Sequence, residues 1–353
     1  MRILRIDGVR GLAVSLVIVY HGLHFPLGWV GVDLFFVLSG YLITQILRRD
    51  RDSPVYWRAF YIKRAMRILP PLAVCLLLCA VFYPQEWHAM KFYYLFFLAN
   101  VGLIPYHGAQ EFGMLWSLAV EEHFYFVWPI AVRKLERGTL IKILTGVLIL
   151  EPTLRAIVTP YTTTYWPIYA LTPFRLDGLA AGSLLALLLE PGEEEQNVGW
   201  LSSWSKRAGL GSLAAIIVLS LTHHFEHQGN ALLFNTIGYS LTAIASASLI
   251  AFVLLNRSSR LNAFFENKAM VFMGTISYGL YLFHKFIFAR FGLVAEHFGW
   301  KHHAVLFPIA LPCAIVACWL SFILYEKRMV TLGHKWVKQL QAKHAAARQP
   351  LAT

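Results

Sequence analysis

Residues 29–47 read WVGVDLFFVLSGYLITQIL, nineteen positions with a single ionisable group, Asp33, followed at once by the basic cluster RRDR at 48–51. At 1.5 Å per residue a helix of that length covers about 28 Å, close to the thickness of a bilayer's hydrocarbon core. The rest of the chain has the same texture. Of its 353 residues, 58% are hydrophobic, 15% aromatic and only 14% charged, and its mean hydropathy is +0.55. A soluble domain carries about 25% charged residues, so the sequence describes an integral membrane protein with an all-α, polytopic helix bundle. The 31 Lys and Arg against 19 Asp and Glu give a formal charge of +12, which in a soluble protein would suggest nucleic acid. Between apolar spans these residues are topology signals first, and no nucleic-acid partner is expected. The four cysteines, at 75, 79, 313 and 318, all fall inside apolar stretches, which argues against a disulfide framework.

Ten windows satisfy the requirement for about 20 mostly apolar residues: roughly 8–26, 29–47, 68–84, 115–132, 140–158, 173–190, 208–222, 231–255, 270–290 and 304–326. Residues 91–104, KFYYLFFLANVGLI, are apolar but short, so they fit an eleventh span or a re-entrant or interfacial segment. Charge decides between these. With both termini cytoplasmic and 91–104 not crossing, 25 of the 31 basic residues lie inside, leaving Lys91, Arg155, Arg175, Lys285, Arg290 and Lys301. A crossing at 91–104 would move Arg133, Lys134 and Arg137 outside and break the positive-inside rule. Ten spans with both ends inside are therefore expected, together with contact to membrane lipids.

The N-terminus, MRILRIDGVRGLAVSLVIVYHG, begins as a signal peptide does, yet its apolar core runs into His21 and His24 without a small-x-small cleavage pattern. It reads as a retained first span. No internal repeat, low-complexity tract or dividing linker is visible, so residues 1–327 form one transmembrane domain and 328–353 a basic cytoplasmic tail, surface-lying or disordered. Residues 191–207, PGEEEQNVGWLSSWSKR, read as an inside loop.

An ionisable side chain within a span costs several kcal/mol, of the order of 3, unless it is paired or faces a cavity, and so marks a functional candidate. Arg10 and His21 lie on the first span with ten residues between them, about 16 Å apart along a helix. Arg10 is then near the inner face and His21 beyond the middle. Asp33 enters the second span at a similar depth, Glu121 and Glu122 the fourth, Arg175 and Asp177 the sixth, and His284 sits in the outer half of the ninth. Independent spans thus bring seven ionisable groups to one level. Interhelical pairing is the plainer alternative for Arg175 with Asp177. For His21 the alternative is a satisfied core histidine, but a carboxylate at matching depth favours a general base.

At the inner face, YIKRAMRILP at 61–70 sets Lys63, Arg64 and Arg67 at the mouth of the third span, with Arg64 and Arg67 on one helical face. Such a fork suits phosphate oxygens, which guanidinium binds bidentately. From spacing alone, anchoring at lipid headgroups is the simpler reading. His223, His224 and His227, with His302 and His303, raise the possibility of a metal, but their spacing matches no zinc signature and no metal is expected. Trp29, Tyr165 and Trp166 near the outer mouth are candidates for a sugar-binding groove, set against the interfacial belt that aromatics usually form.

Six segments in order, Arg10 with His21, GVDLFFVLSGYLIT (31–44), Arg64 with Arg67 and Pro70, LWSLAVEEHFYFVWP (115–129), RLDGLAAG (175–182) and GTISYGLYLFH (274–284), together resemble the membrane acyltransferase-3 family. The resemblance covers nearly the whole chain. It implies an O-acyltransferase of the bacterial inner membrane, moving an acyl group, usually acetyl from acetyl-CoA, onto hydroxyls of carbohydrates or glycolipids of the cell envelope, with no resident cofactor. Carried over by position, it implies that Arg10 and His21 are paired motif residues with His21 catalytic. It implies that Arg64 and Arg67, beside Lys63, handle the acyl-CoA donor, and that Ser117, Glu121 and Tyr125 form a spaced element on the fourth span. Those three are four residues apart and share a face. Where members often show a Glu followed closely by Pro, this chain has Glu326, Lys327 and Arg328. Some members carry an additional esterase-like domain, and the length here resembles the stand-alone type.

The expected mechanism has acyl-CoA enter from inside past Lys63, Arg64 and Arg67. His21, oriented by Asp33 or Glu121, deprotonates an acceptor hydroxyl arriving from outside. Arg10, Arg175 or a backbone N–H stabilises the oxyanion, and Ser117, Glu122, Tyr125, Arg175, Asp177 and His284 contact substrate. An acylated His21 is the mechanistic rival, and a transporter or flippase of a sugar-lipid or proton the rival function.

Overall fold

The computed structural model describes residues 3–106, 110–190, 194–222, 229–256, 260–299 and 306–346. Every regular element among them is helical. In chain order these are α1 (Leu4–Leu23), α2 (Val30–Arg49), α3 (Tyr56–Phe82), α4 (Pro84–Leu95), α5 (Ala99–Gly102), α6 (Leu115–Lys134), α7 (Arg137–Val158), α8 (Trp166–Ala170) and α9 (Leu176–Leu188). There follow α10 (Glu194–Thr222), α11 (Tyr239–Leu255), α12 (Arg260–Glu266), α13 (Lys268–Thr275), α14 (Ser277–His297), α15 (Phe307–Ser321) and α16 (Lys327–Ala346).

By length and composition, α1, α2, α3, the stretch Phe234–Leu255 and the stretch Phe307–Ala346 are able to cross a membrane. A sixth span results if α13 and α14, bent by 74° at their junction, count as one. The protein is a helical membrane bundle. Each of the ten apolar windows contains a helix, but α6 carries Glu121, Glu122, Arg133 and Lys134, and α9 has only 13 residues. Residues 91–104 form no continuous helix: α4 stops at Leu95, Phe97 takes a positive φ of 55°, and α5 has four residues.

One segment departs from expectation, and the basic tail takes the surface-lying form of its two expected alternatives. Residues 194–207, read as loop, are the first part of the 29-residue α10. Trp200 and Trp204, one turn apart, stack with ring centroids 6.3 Å apart, and Leu201 is buried beside them, so an apolar stripe continues through the charged stretch. The tail after 327 is also helical to Ala346, joined to α15 through a π-turn at Phe322–Glu326. It lies against α3, with Val337 packed between Val55 and Ala59.

Helices α2 and α9 pack closely, and small residues make this possible. A Cβ on Gly40 would overlap the Leu179 carbonyl, and one on Gly182 the Val37 carbonyl. Ser183 Oγ donates to Gly40 O at 3.2 Å across the same contact. In lipid, where hydrophobic burial gives little driving force between helices, such close backbone approach supplies the association through dispersion and polar contacts. The pairing holds the Asp33 end of α2 against the start of α9, and Val32 and Phe36 on α2 face the interior where the cavities lie.

Candidate active site

Two cavities of similar size bear on function among the described residues. The first, of about 360 Å³, is lined by Arg10 of α1, Ser39 of α2, Lys63, Arg64 and Arg67 of α3, Ser117, Glu121 and Tyr125 of α6, Tyr281 of α14 and His334 of α16. The second, of about 340 Å³, is lined by His21 and His24, by the aromatic rings of Tyr20, Trp29, Trp116, Tyr165, Trp166 and Tyr169, and by Lys285. Val32 and Tyr281 line both, so the cavities meet at that pair. The ten residues between Arg10 and His21 place one at each cavity.

The first cavity is built to hold negative charge. Arg10, Arg64 and Arg67 converge on it, and no ion pair joins any of them to a carboxylate among the described residues. Lys63 reaches Asp50 at 3.7 Å. The Arg64 guanidinium lies 4.6 Å above the Tyr125 ring, and Tyr125 in turn shares a hydrogen bond with Ser39. That stacking fixes the plane of the guanidinium and leaves its N–H edges for an acceptor. Glu121 is the only carboxylate among the lining residues, which leaves a clear excess of positive charge.

The second cavity is walled by aromatics, with Lys285, His21 and His24 and no carboxylate among its lining residues. Trp29, Tyr165 and Trp166, singled out in the sequence, all lie on its wall. Flat apolar rings with polar edges suit the C–H faces of a pyranose. Lys285 donates to Gln110 O at 3.2 Å.

At the junction of the cavities, Ser117 Oγ and Tyr281 OH are 2.5 Å apart and share one hydrogen bond, and Met114 O, 3.2 Å from the first and 3.1 Å from the second, accepts from whichever hydroxyl does not donate to the other. Two hydroxyls and one carbonyl thus close a small polar knot where the cavities touch.

The ionisable groups expected at one level separate into distinct clusters. His21 meets neither Asp33 nor Glu121. Its Nδ1 is 3.0 Å from Val17 O and 3.2 Å from His284 Nε2, so the group beside it is a second imidazole. Asp33 instead accepts from Arg175 and from Thr242 Oγ1, the latter at 3.0 Å. Glu121 lines the arginine cavity. These placements correct the expectation that a carboxylate orients His21. Depth along a helix was legible, but the direction a side chain takes around the axis turns by about 100° per residue and depends on which helices become neighbours.

Arg175 and Asp177 line neither cavity. Both are fully buried in an ionic network. Arg155 donates to Asp177 Oδ2 at 2.9 Å and to Ser240 Oγ at 2.5 Å. Glu151, one turn before Arg155 on α7, accepts from the backbone N–H groups of Leu176 and Asp177 at 2.7 and 2.8 Å. Its carboxylate thereby caps the N-terminus of α9, where the helix dipole favours negative charge. The Arg175 guanidinium sits 4.2 Å from the Tyr239 ring and 5.2 Å from Tyr169, with Trp116 at 5.7 Å. It braces the aromatic wall from behind. Glu122 lines neither cavity, and its Oε1 is buried without a hydrogen-bond partner among the described residues. His284 is fully buried and lines neither cavity.

Sequence reasoning missed Glu151, Arg155, Tyr281 and Lys285 as parts of this architecture. Arg155 and Lys285 had a signal, since both were exceptions to the positive-inside pattern. Tyr281 had none beyond its place in GTISYGLYLFH. All four cysteines are free thiols, as expected from their apolar surroundings. No group of three or more potential metal ligands occurs among the described residues; His223, His224, His227, His302 and His303 lie outside them.

Residues 3–326 match the protein family described as an acyltransferase domain. Over 309 residues the chain is 30% identical to the peptidoglycan O-acetyltransferase OatA of Listeria monocytogenes, covering 79% of this chain and 48% of that protein. Over 304 residues it is 28% identical to the O-acetyltransferase OatA of Staphylococcus aureus, covering 79% and 49%. The chain spans about half the length of the curated relatives it matches. No solved structure gives a significant match.

Proposed function

This chain belongs to the acyltransferase domain family, and from that premise we propose that it is a membrane O-acetyltransferase. In this reading it takes an acetyl or short acyl group from acyl-CoA on one side of the bacterial inner membrane and delivers it to a carbohydrate or glycolipid hydroxyl on the other. The observation that carries the proposal is the pair of cavities: one rich in unpaired arginines, one aromatic and bearing His21, in contact at Val32 and Tyr281. The positive-inside count orients the arginine cavity to the cytoplasm, with ten spans and both termini inside. Acyl-CoA is made there, and the phosphates of its 3′,5′-ADP end suit Arg10, Arg64 and Arg67, with Lys63 at the mouth. The pantetheine arm is long enough to carry the thioester to the junction at Tyr281. The relatives' printed names favour a cell-wall carbohydrate acceptor.

In this mechanism His21 Nε2 takes the proton of the acceptor hydroxyl as its oxygen attacks the thioester carbonyl. The C–S bond then breaks, the acetyl ester forms, and the leaving thiolate receives the proton from His21. Arg10 remains a source of positive charge for the oxyanion, whereas Arg175, behind the aromatic wall, is set aside from that role. The test separates donor from base. Arg64→Ala should raise the KM for acetyl-CoA about 10- to 100-fold, as expected for the loss of hydrogen bonds to a charged group worth about 1.5–3 kcal/mol. An unchanged KM would return the arginine fork to membrane anchoring. Acetylated His21 recovered after exposure to donor alone would replace direct transfer by a covalent route.

A further inference from the structure

The contact between His21 and His284 joins α1 to α14 across 263 residues of sequence, and its atoms define which nitrogen of each ring holds a proton. His284 Nδ1 lies 3.0 Å from Leu280 O and 2.9 Å from Tyr281 O. Both are acceptors, so Nδ1 carries the hydrogen. The ring is fully buried and bonds to no carboxylate among the described residues, a setting in which an imidazolium would lack compensation. His284 Nε2 therefore presents a lone pair, and it presents it to His21 Nδ1 at 3.2 Å. His21 Nδ1 also faces Val17 O at 3.0 Å. With acceptors on both sides, that nitrogen is the donor. The lone pair of His21 is left on Nε2, which makes no hydrogen bond among the described residues, on a ring that lines the aromatic cavity.

We infer that His284 is the positioning residue of the base: its Nε2 fixes His21 in the Nδ1–H tautomer and accepts that hydrogen more strongly once His21 becomes an imidazolium. The role corresponds to the carboxylate that orients the histidine of a catalytic triad, performed by a neutral acceptor. A neutral partner suits this place, because a carboxylate buried here would need its own counter-charge, as Asp33 finds in Arg175. The inference rests on the reading of His21 as base.

Two substitutions separate positioning from packing. In His284→Gln the amide oxygen falls near the position of Nε2 and keeps an acceptor for His21. In His284→Asn the amide reaches only the position of Nδ1 and leaves His21 without that acceptor. Histidine ¹⁵N NMR of the full chain in lipid, with His21 signals identified by their loss in His21→Ala, reads the tautomer directly. Wild type and His284→Gln should show His21 protonated on Nδ1, and His284→Asn a shift of population towards Nε2–H. In acetyl transfer, His284→Asn should lose about 10- to 100-fold in kcat, the range typical of groups that orient a working imidazole, with an unchanged KM for acetyl-CoA. His284→Gln should recover most of that loss. Nε2–H on wild-type His21, or equal impairment of the Asn and Gln variants, would overturn the inference. Wild-type transfer by His21→Ala, with the tautomer as expected, would overturn the base and hence the positioning role while leaving the contact itself intact.

Discussion

His21, Arg10, Arg64 and Arg67 owe their candidacy to a simple cost: charge within lipid has to be used or paired. Replacement of His21 by Ala should lower acetyl transfer by about 10²- to 10⁴-fold, the contribution of a general base, with acetyl-CoA binding retained; transfer within a few-fold of wild type would remove it from the mechanism. Arg155 tests the opposite case, charge used for structure. Its guanidinium is fully buried against Asp177 and Glu151, so Arg155→Met should destabilise the protein by about 3–5 kcal/mol, the cost of stranding a buried partner. Thermal unfolding in detergent measures this, and Arg155→Met combined with Asp177→Leu should be milder than the single change. Sequence pointed to His21, Arg10, Arg64 and Arg67 individually, and the arginine fork with Ser117, Glu121 and Tyr125 does share one cavity. It did not reveal partners. Asp33 and His21 share a depth, yet Asp33 turns to Arg175 and His21 to His284, because rotation about the axis is set by packing that no single helix encodes.

Among the helices, α2 and α9 meet at small residues spaced four apart, Gly178 and Gly182, where the structure brings their backbones into contact. Gly182→Leu should prevent this approach, since its Cβ already overlaps the Val37 carbonyl; the expected outcome is loss of folded protein on size-exclusion chromatography, and normal yield and Tm would contradict the packing. Where sequence failed, it failed on charged helices. The start of α10 looked like a loop because its charged and polar residues together outnumber its apolar ones, while Trp200, Leu201 and Trp204 keep it helical and partly covered. The bend of 74° between α13 and α14 was equally hidden within one apolar window. The proposed sidedness has its own check. In a cysteine-free background, a cysteine at Phe25, exposed on the turn between α1 and α2, and one at His344 on α16 should react with an impermeant thiol reagent from opposite sides of the membrane. Labelling from one side would reverse the account of where donor and acceptor enter.

For the molecule as a whole, the bundle places an arginine-lined cavity and an aromatic cavity back to back, meeting at Val32 and Tyr281, so that in the proposed reaction donor and acceptor meet while neither crosses completely. Composition identified the membrane and ordered motifs identified the family, whereas the division into two cavities required the folded chain, since their walls draw on α1, α2, α3, α6, α14 and α16 together. The decisive measurement is transfer of labelled acetyl from acetyl-CoA, supplied on the cytoplasmic side of sealed vesicles, into carbohydrate on the opposite side. It compares vesicles with the wild-type chain, without it, and with His21→Ala. The account predicts label in carbohydrate only with the wild-type chain and a fall of about 10²-fold or more for His21→Ala. Equal label with His21→Ala, or transport that requires an ion gradient and no acyl-CoA, would contradict it.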